Sequence, residues 1–343
     1  MTRDSYYDNA KAILIVLVVF GHTLSGLLHE NRLLDSLYMF IYIFHMPAFI
    51  FISGYFSKTI RTKNQIKKLI ATLVIPYIIF QLLYSYYYIY YLDASIQFNL
   101  FDPRWGLWFL ISLFYWKLML RPFATSKWMI AIAILISLTA GYIAEINEYF
   151  SLSRTLYFFV YFVAGYHMNM RLIKDAPTYY KNVACGILVI LFVVVYFYGD
   201  LSWKEWFLGR LPYEEISHYW FDQLSLNRLF VYGISAIAML AFLMLIPQKQ
   251  TWYTYVGQRT MGIYIFHLGI IQGFRKTSLY EWLTTNDYYL LVILFVILII
   301  WSLSFRIFTE ALTSFSYSKN LFLQNSFYFL FRKQKKNSPP PVE

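Results

Sequence analysis

The chain has 343 residues, of which 59% are apolar and only 14% charged. A soluble domain carries about a quarter charged residues and has too little interior to hide this much apolar surface, so a water-soluble globular protein is excluded. The balance of 29 Lys and Arg against 18 Asp and Glu gives a net charge of +11, a surplus that would suit nucleic acid but whose distribution along the chain assigns it elsewhere.

Apolar runs recur along almost the whole length, each of roughly the 17–25 residues that a helix needs to cross a bilayer core. Windows of this length predict spans at 12–28, 38–56, 69–91, 105–120, 128–146, 155–170, 182–198, 229–246, 260–274 and 288–308. The expected fold is therefore all-α: a polytopic membrane helix bundle of about ten transmembrane helices, with Trp and Tyr gathered at segment ends. The first run, in "YYDNAKAILIVLVVFGHTL" (Tyr6 to Leu24), lacks a small-residue cleavage site. It reads as a retained helix and not as a removed signal peptide.

The second run, "YIFHMPAFIFISGYF", leads into the connection "KTIRTKNQIKK" at 58–68, which holds Lys58, Arg61, Lys63, Lys67 and Lys68. Basic residues near span ends stay cytoplasmic, and alternating from this loop puts both termini in the cytoplasm. About 20 basic residues then fall inside and about 8 outside, with Lys117 within a span, so the positive charge is topology and no nucleic-acid partner is expected. The outer connections are acidic or mixed, and the longest, Gly199 to Arg228, is rich in Trp, Tyr and carboxylates. The single Cys185 lies in an apolar run and has no intrachain disulfide partner. One membrane domain, 1–315, accounts for nearly everything. The basic tail, 316–343, contains a weakly amphipathic stretch, "SYSKNLFLQNSFYFLFRKQ", and ends in "KKNSPPPVE", expected to be disordered.

Ionisable groups at membrane depth mark function by default. His22, His45 and His267 fall at comparable depth in the first, second and ninth spans, whereas His29, His167 and His218 lie at span ends or outside. No two histidines are spaced at i, i+3 or i+4, and no carboxylate accompanies them at depth, so no metal site is expected. A serine triad also lacks a buried acid partner for Ser53 or Ser112. What remains is a histidine acting as a general base. Lys11 and His22, eleven residues apart, share one helical face and lie about 16 Å apart along it. That length excludes a direct pair and suits a long ligand with one anionic end. Asp8, three residues before Lys11, is placed to orient or neutralise it.

These residues carry a resemblance. "RDSYYDNAKAILIVLVVFGH", "FHMPAFIFISGYF" and a basic loop running into "LIATLVIPY" resemble the integral-membrane acyltransferase-3 family, and within it the fucose 4-O-acetylase-like group. Lys11 and His22 match the family's basic residue and histidine separated by ten residues in the first span. Phe44, His45, Pro47, Ser53 and Gly54 match its second element. The family's pair of arginines before the third span is absent, and Lys67 with Lys68, or Arg61 with Lys63, stands in its place. Fainter echoes are "RWGLWFL" with Trp105, "FFVYFVAGYHM", and "YVGQRTMGIYIFH" with Gly257, Thr260, Tyr264 and His267.

The resemblance implies an enzyme that moves an acyl group, usually acetyl, from cytosolic acyl-CoA to a hydroxyl on an extracytoplasmic or lipid-linked sugar of a cell-surface polysaccharide. It implies acetyl-CoA or another acyl-CoA as co-substrate, no permanently bound cofactor, a carbohydrate or glycolipid acceptor, surrounding membrane lipid, and a bacterial cytoplasmic membrane. On this reading His22 is general base or acyl carrier. Asp8, Lys11, Arg61, Lys67 and Lys68 face the donor, and His45, Ser53, Trp105 and His267 serve the acceptor or the oxyanion. Two other readings stay open: an exporter of a polysaccharide or lipid-linked glycan, and a membrane sensor or scaffold. No inverted repeat with paired broken helices supports the exporter, and the buried histidines disfavour an inert scaffold.

Overall fold

A computed structural model describes residues 4–92 and 99–305. The expectations for the tail, and for Asp93 in the loop after the third span, lie outside the described residues. Among those residues the chain is all-helical, with no strand. In chain order, α1 is Ser5–Leu24, α2 Arg32–Tyr55, α3 Lys63–Leu69, α4 Ile75–Tyr91, α5 Trp108–Phe123, α6 Met129–Ala140 and α7 Leu152–His167. There follow α8 Arg171–Lys174, α9 Thr178–Tyr198, α10 Lys204–Leu208, α11 Leu224–Leu245, α12 Thr254–Gly257, α13 Thr260–Arg275, α14 Ser278–Thr285 and α15 Tyr289–Leu303.

Each of the ten predicted segments overlaps one of these helices. Among the described residues five helices are long and apolar enough to cross a membrane: Ser5–Leu24, Arg32–Tyr55, Lys63–Tyr91, Thr178–Tyr198 and Leu224–Leu245. Met129–Ala140 and Tyr289–Leu303 are apolar but shorter.

Local chemistry sets the helix boundaries. The Asp4 side chain accepts from the Tyr6 N–H at 3.1 Å, so α1 begins well before the apolar run does. Asn31 caps α2 in the same way, and Thr62 with Gln65 forms a capping box at α3. Between α3 and α4 the backbone widens into a π turn, Ile70–Val74, so that Lys63–Tyr91 forms one interrupted span. Its cause is Pro76, which has no N–H to give and whose ring crowds the carbonyl four residues back, at Thr72.

Helix α1 is the hub. One flank, with Ala10 and Leu14, joins the main core beside α2. The other, with Ala12, Ile15 and Val19, packs against Ile263 and Ile271 of α13 and Val296, Ile299 and Ile300 of α15. Helix α2 in turn packs on α7, α9 and α11. Its approach to α7 is a backbone contact through glycines. A methyl group at Gly54 would lie 2.0 Å from the Phe162 carbonyl oxygen, and one at Gly165 would lie 1.9 Å from that of Phe51. Only hydrogen fits at either position. The window of α9, by contrast, is only 11% buried, which places that helix at the lipid-facing edge.

Two ends of the bundle can be told apart. At one, Tyr7 of α1 stacks on Tyr55 and packs edge-on against Phe56, beyond the end of α2. The ends of α5 and α7 gather here too, where the His167 ring donates to the Phe123 carbonyl at 2.7 Å. At the other end lie His22, the start of α2 and the end of α13.

Candidate active site

The His22 and His267 rings face each other across the contact of α1 and α13, with centroids 5.4 Å apart and planes tilted by 44°. His22 occupies the last turn of α1. His267 is fully buried in α13, 6.2 Å from the Tyr264 ring. His45, buried in α2, meets the Tyr42 ring edge-on at 4.7 Å. Both His45 and His267 lie within electrostatic reach of His22, as do Arg154 and Arg275. The structure thus brings His22 and His267 ring to ring, with His45 linked to them through Tyr42, whose ring lies against Gly21.

Backbone chemistry fixes two of the three tautomers. His45 Nδ1 lies 2.8 Å from the Ile41 carbonyl oxygen, and His267 Nδ1 lies 2.9 Å from that of Ile263. A carbonyl only accepts, so each Nδ1 carries the proton and each Nε2 presents a lone pair. His267 Nε2 is buried without a hydrogen-bond partner. As neutral rings, both accept hydrogen bonds at Nε2 and cannot donate there to an oxyanion.

Lys11 and Asp8 stand at the opposite end of the same helix. Their ion pair is 2.8 Å long, with both side chains almost fully buried. The surroundings pin this part of α1. Asn9 donates to the carbonyls of Pro247 and Lys249, both at 2.8 Å, and its Oδ1 accepts from Thr254 at 2.6 Å and Thr251 at 3.1 Å. A methyl group at Gly257 would lie 1.7 Å from the Asp8 carbonyl oxygen, so α12 rests directly on the α1 backbone.

The remaining expected residues divide between the two ends. Arg61 lines a cavity of about 450 Å³ with Arg121, Thr59, Ala124, Thr125 and Tyr166. Lys67 and Lys68 sit in the last turn of α3, Lys67 exposed and Lys68 half-buried. Ser53 does not join the histidines. Eight residues beyond His45, about 12 Å along α2, it donates to the Phe49 carbonyl, and its own carbonyl accepts from Ser57, whose hydroxyl in turn accepts from Lys117 at 2.9 Å. Trp105 lies at the histidine end, in a short turn where its φ is 48°. Its indole donates to the Tyr88 hydroxyl and packs on Tyr84 at 4.7 Å, while the Tyr264 hydroxyl donates to the adjacent Gly106 carbonyl.

Further residues complete the site. Arg275 donates to the His22 carbonyl. Arg154 lies over the Trp108 ring at 5.2 Å and reaches Glu148 at 3.4 Å. Lys117, within a span, is buried one helical turn from Arg121. Of these only Lys117, a charge inside an apolar run, carries a signal in the linear pattern. Among the described residues no three His, Cys, Asp or Glu side chains gather as metal ligands.

Two curated relatives match over 58 residues, 16% of this chain and 16% of their own length. Both bear the name Nodulation protein NolL; the one from Mesorhizobium japonicum is 47% identical there and the one from Sinorhizobium fredii 45%. No solved structure matches significantly. The acyltransferase-3 family, described as an acyltransferase domain, matches residues 4–305. With that match spanning nearly the whole chain and including every described histidine, the protein belongs to the acyltransferase-3 family of acyltransferase domains.

Proposed function

We propose that the protein is a membrane O-acyltransferase, in the first instance an O-acetyltransferase. It moves an acyl group from cytosolic acyl-CoA to a hydroxyl of an extracytoplasmic or lipid-linked sugar of a cell-surface polysaccharide. The observation that carries this reading is the His22–His267 pair, held inside the bundle at one end of a helix whose other end holds the Lys11–Asp8 pair. The Lys11 end is cytosolic on this reading, because the basic connection at 58–68 belongs to it. The membrane is the bacterial cytoplasmic membrane.

The donor enters at the Lys11 end. Arg61 and Arg121 meet its phosphates by charge-assisted hydrogen bonds in the cavity they line, with Lys67 and Lys68 adding charge at the entrance. Lys11, neutralised by Asp8, sets the start of the path along α1, and the pantetheine arm spans the remaining length to His22. The acceptor enters from the opposite side, past Trp105.

The reaction follows from the lone pairs. The acceptor hydroxyl oxygen attacks the thioester carbonyl while His22 takes its proton. The tetrahedral intermediate then collapses, the C–S bond breaks, and the imidazolium returns the proton to the leaving thiolate. The alternative order, in which His22 first takes the acyl group on nitrogen and then passes it to the sugar, uses the same residues. His267 and His45 accept hydrogen bonds at Nε2 and so orient acceptor hydroxyls. The developing oxyanion needs a donor instead, which neither neutral ring supplies at Nε2.

The test replaces His22 with Gln and compares the surface polysaccharide by NMR and mass spectrometry. The proposal expects O-acyl groups to disappear while the variant inserts normally. O-acylation that persists with a stably inserted variant contradicts it. Polymer that accumulates inside cells lacking the protein, with its acylation unaltered, identifies an exporter instead.

A further inference from the structure

We propose that Arg275 is a positioning residue for His22: its guanidinium, at the last turn of α13, grips the end of α1 and sets the His22 ring against His267. This deepens the reading above and rests on His22 being the reacting histidine.

The end of α1 needs such a partner. The last carbonyls of a helix have no donor within it. A left-handed cap is the common remedy, but here the cap residue Ser25 stays right-handed, with φ −62°. The Ser25 hydroxyl donates to the His22 carbonyl at 2.8 Å and the Gly26 N–H reaches the Thr23 carbonyl at 3.2 Å, and Arg275 adds a charged donor to the same turn. Its Nη2 donates to the His22 carbonyl at 2.5 Å, to the Ser25 hydroxyl at 3.0 Å and, more loosely, to the Thr23 carbonyl at 3.4 Å. A cation at a helix C-terminus is also the favourable sign for the helix dipole. The bonds fall on the carbonyls of His22 and Thr23 and on the hydroxyl of Ser25, so they hold the turn that carries the imidazole.

Two further observations show that the contact is built in. Gly26 lies directly under the guanidinium: a methyl group there would sit 2.6 Å from Arg275 Nε and 2.7 Å from its Cζ. The Tyr280 hydroxyl closes the same corner by donating to the Gly26 carbonyl at 2.9 Å. Arg275 also forms no ion pair among the described residues, and its Nε is buried without an acceptor. A guanidinium held this way serves no carboxylate. What its placement secures is the end of α1.

Helix α13 therefore touches His22 at two points. His267, eight residues before Arg275 and about 12 Å from it along the helix, meets the ring, and Arg275 meets the backbone. Because both belong to one rigid helix, the two contacts lock the angle between the imidazoles.

The test measures the position of His22 without relying on activity. The full chain, solubilised in detergent, is treated with diethyl pyrocarbonate, and modification of His22 and His45 is followed by peptide mass spectrometry. In Arg275→Gln the rate at His22 is expected to rise about tenfold, the factor that corresponds to losing one charge-assisted hydrogen bond, with His45 unchanged. Gly26→Ala, which displaces the guanidinium by a different route, is expected to do the same, and Arg275→Lys to restore a rate close to wild type. An unchanged His22 rate in Arg275→Gln overturns the proposal. A parallel rise at His45 shows general loosening of the bundle and overturns it too. Release of free CoA from acetyl-CoA in membranes is then read in the same variants, with kcat expected to fall while KM for acetyl-CoA stays the same. If His22 becomes more reactive but turnover is unchanged, the clamp stands and the role of His22 in acyl transfer fails.

Discussion

His22 and His267 face each other at 5.4 Å from helices 1 and 13 of the described chain, and the tautomer of His267 is set by the carbonyl of Ile263. Among the described residues the buried His267 Nε2 has no hydrogen-bond partner, so its lone pair is left for a substrate hydroxyl. His267 thus accepts hydrogen bonds, and the proton transfer falls to His22.

Replacing His267 with Gln keeps a polar side chain but loses the fixed lone pair. Turnover of acetyl-CoA with the native acceptor is expected to fall by about 10² at unchanged donor KM, the order of loss that follows misplacing a reacting group by about 1 Å. Steady-state kinetics in membranes checks it, and a raised donor KM with normal kcat would place His267 on the donor path instead.

Arg61 and Arg121 line one cavity, with Lys117 one turn deeper. Arg121→Ala and Arg61→Ala are each expected to raise KM for acetyl-CoA about tenfold with little change in kcat, because phosphate contacts bind ground and transition states alike. The effect should shrink as salt rises and screens the arginines that remain. A fall in kcat alone would put the cavity outside the donor site.

Gly54→Ala and Gly165→Ala each drive a methyl group into a carbonyl of the facing helix. Each is expected to lower stability by about 1–3 kcal/mol, the usual range for overpacking. Thermal unfolding followed by fluorescence-detected size-exclusion chromatography measures this, and a midpoint equal to wild type would show that α2 and α7 do not cross in backbone contact.

Asn9 is satisfied on both sides of its amide, by two carbonyls and two threonine hydroxyls. Asn9→Asp removes both donors and brings a carboxylate against the Pro247 and Lys249 carbonyls. A loss of about 2–3 kcal/mol follows if each buried acceptor left unserved costs on the order of 1 kcal/mol or more. A stability change under half of that, in the same unfolding assay, would contradict the idea that this residue anchors α1 to the 247–254 segment.

The linear pattern revealed the helical class, a helix in each apolar segment and the histidine pair that meets, His22 and His267, because hydropathy and depth depend on side-chain type alone. It placed the start of α1 too late. Hydropathy charges Asp8, Asn9 and Lys11 for burial without seeing that each finds a partner, in Lys11 itself, in the 247–254 segment and in Asp8. Gly54, Gly165 and Gly257 fall in stretches that resemble the family, but the linear pattern gives no reason for them. The reason is the carbonyl of another helix pressed against each. Arg275 was not legible at all, since its partner is the backbone of a residue 253 positions away. Nor could spacing separate Ser53 from His45, because a shared helix does not mean a shared end. Ser53 belongs with Ser57 and Lys117.

The central claim, acyl transfer from acyl-CoA to a sugar hydroxyl through His22, is tested most directly with membrane vesicles oriented so that the Lys11 end faces the medium. Supplied with acetyl-CoA labelled in the acetyl group, wild-type vesicles are predicted to build base-labile label into their glycan, and vesicles carrying His22→Gln to build essentially none while retaining the inserted protein. Equal labelling of the glycan by the two would contradict the account.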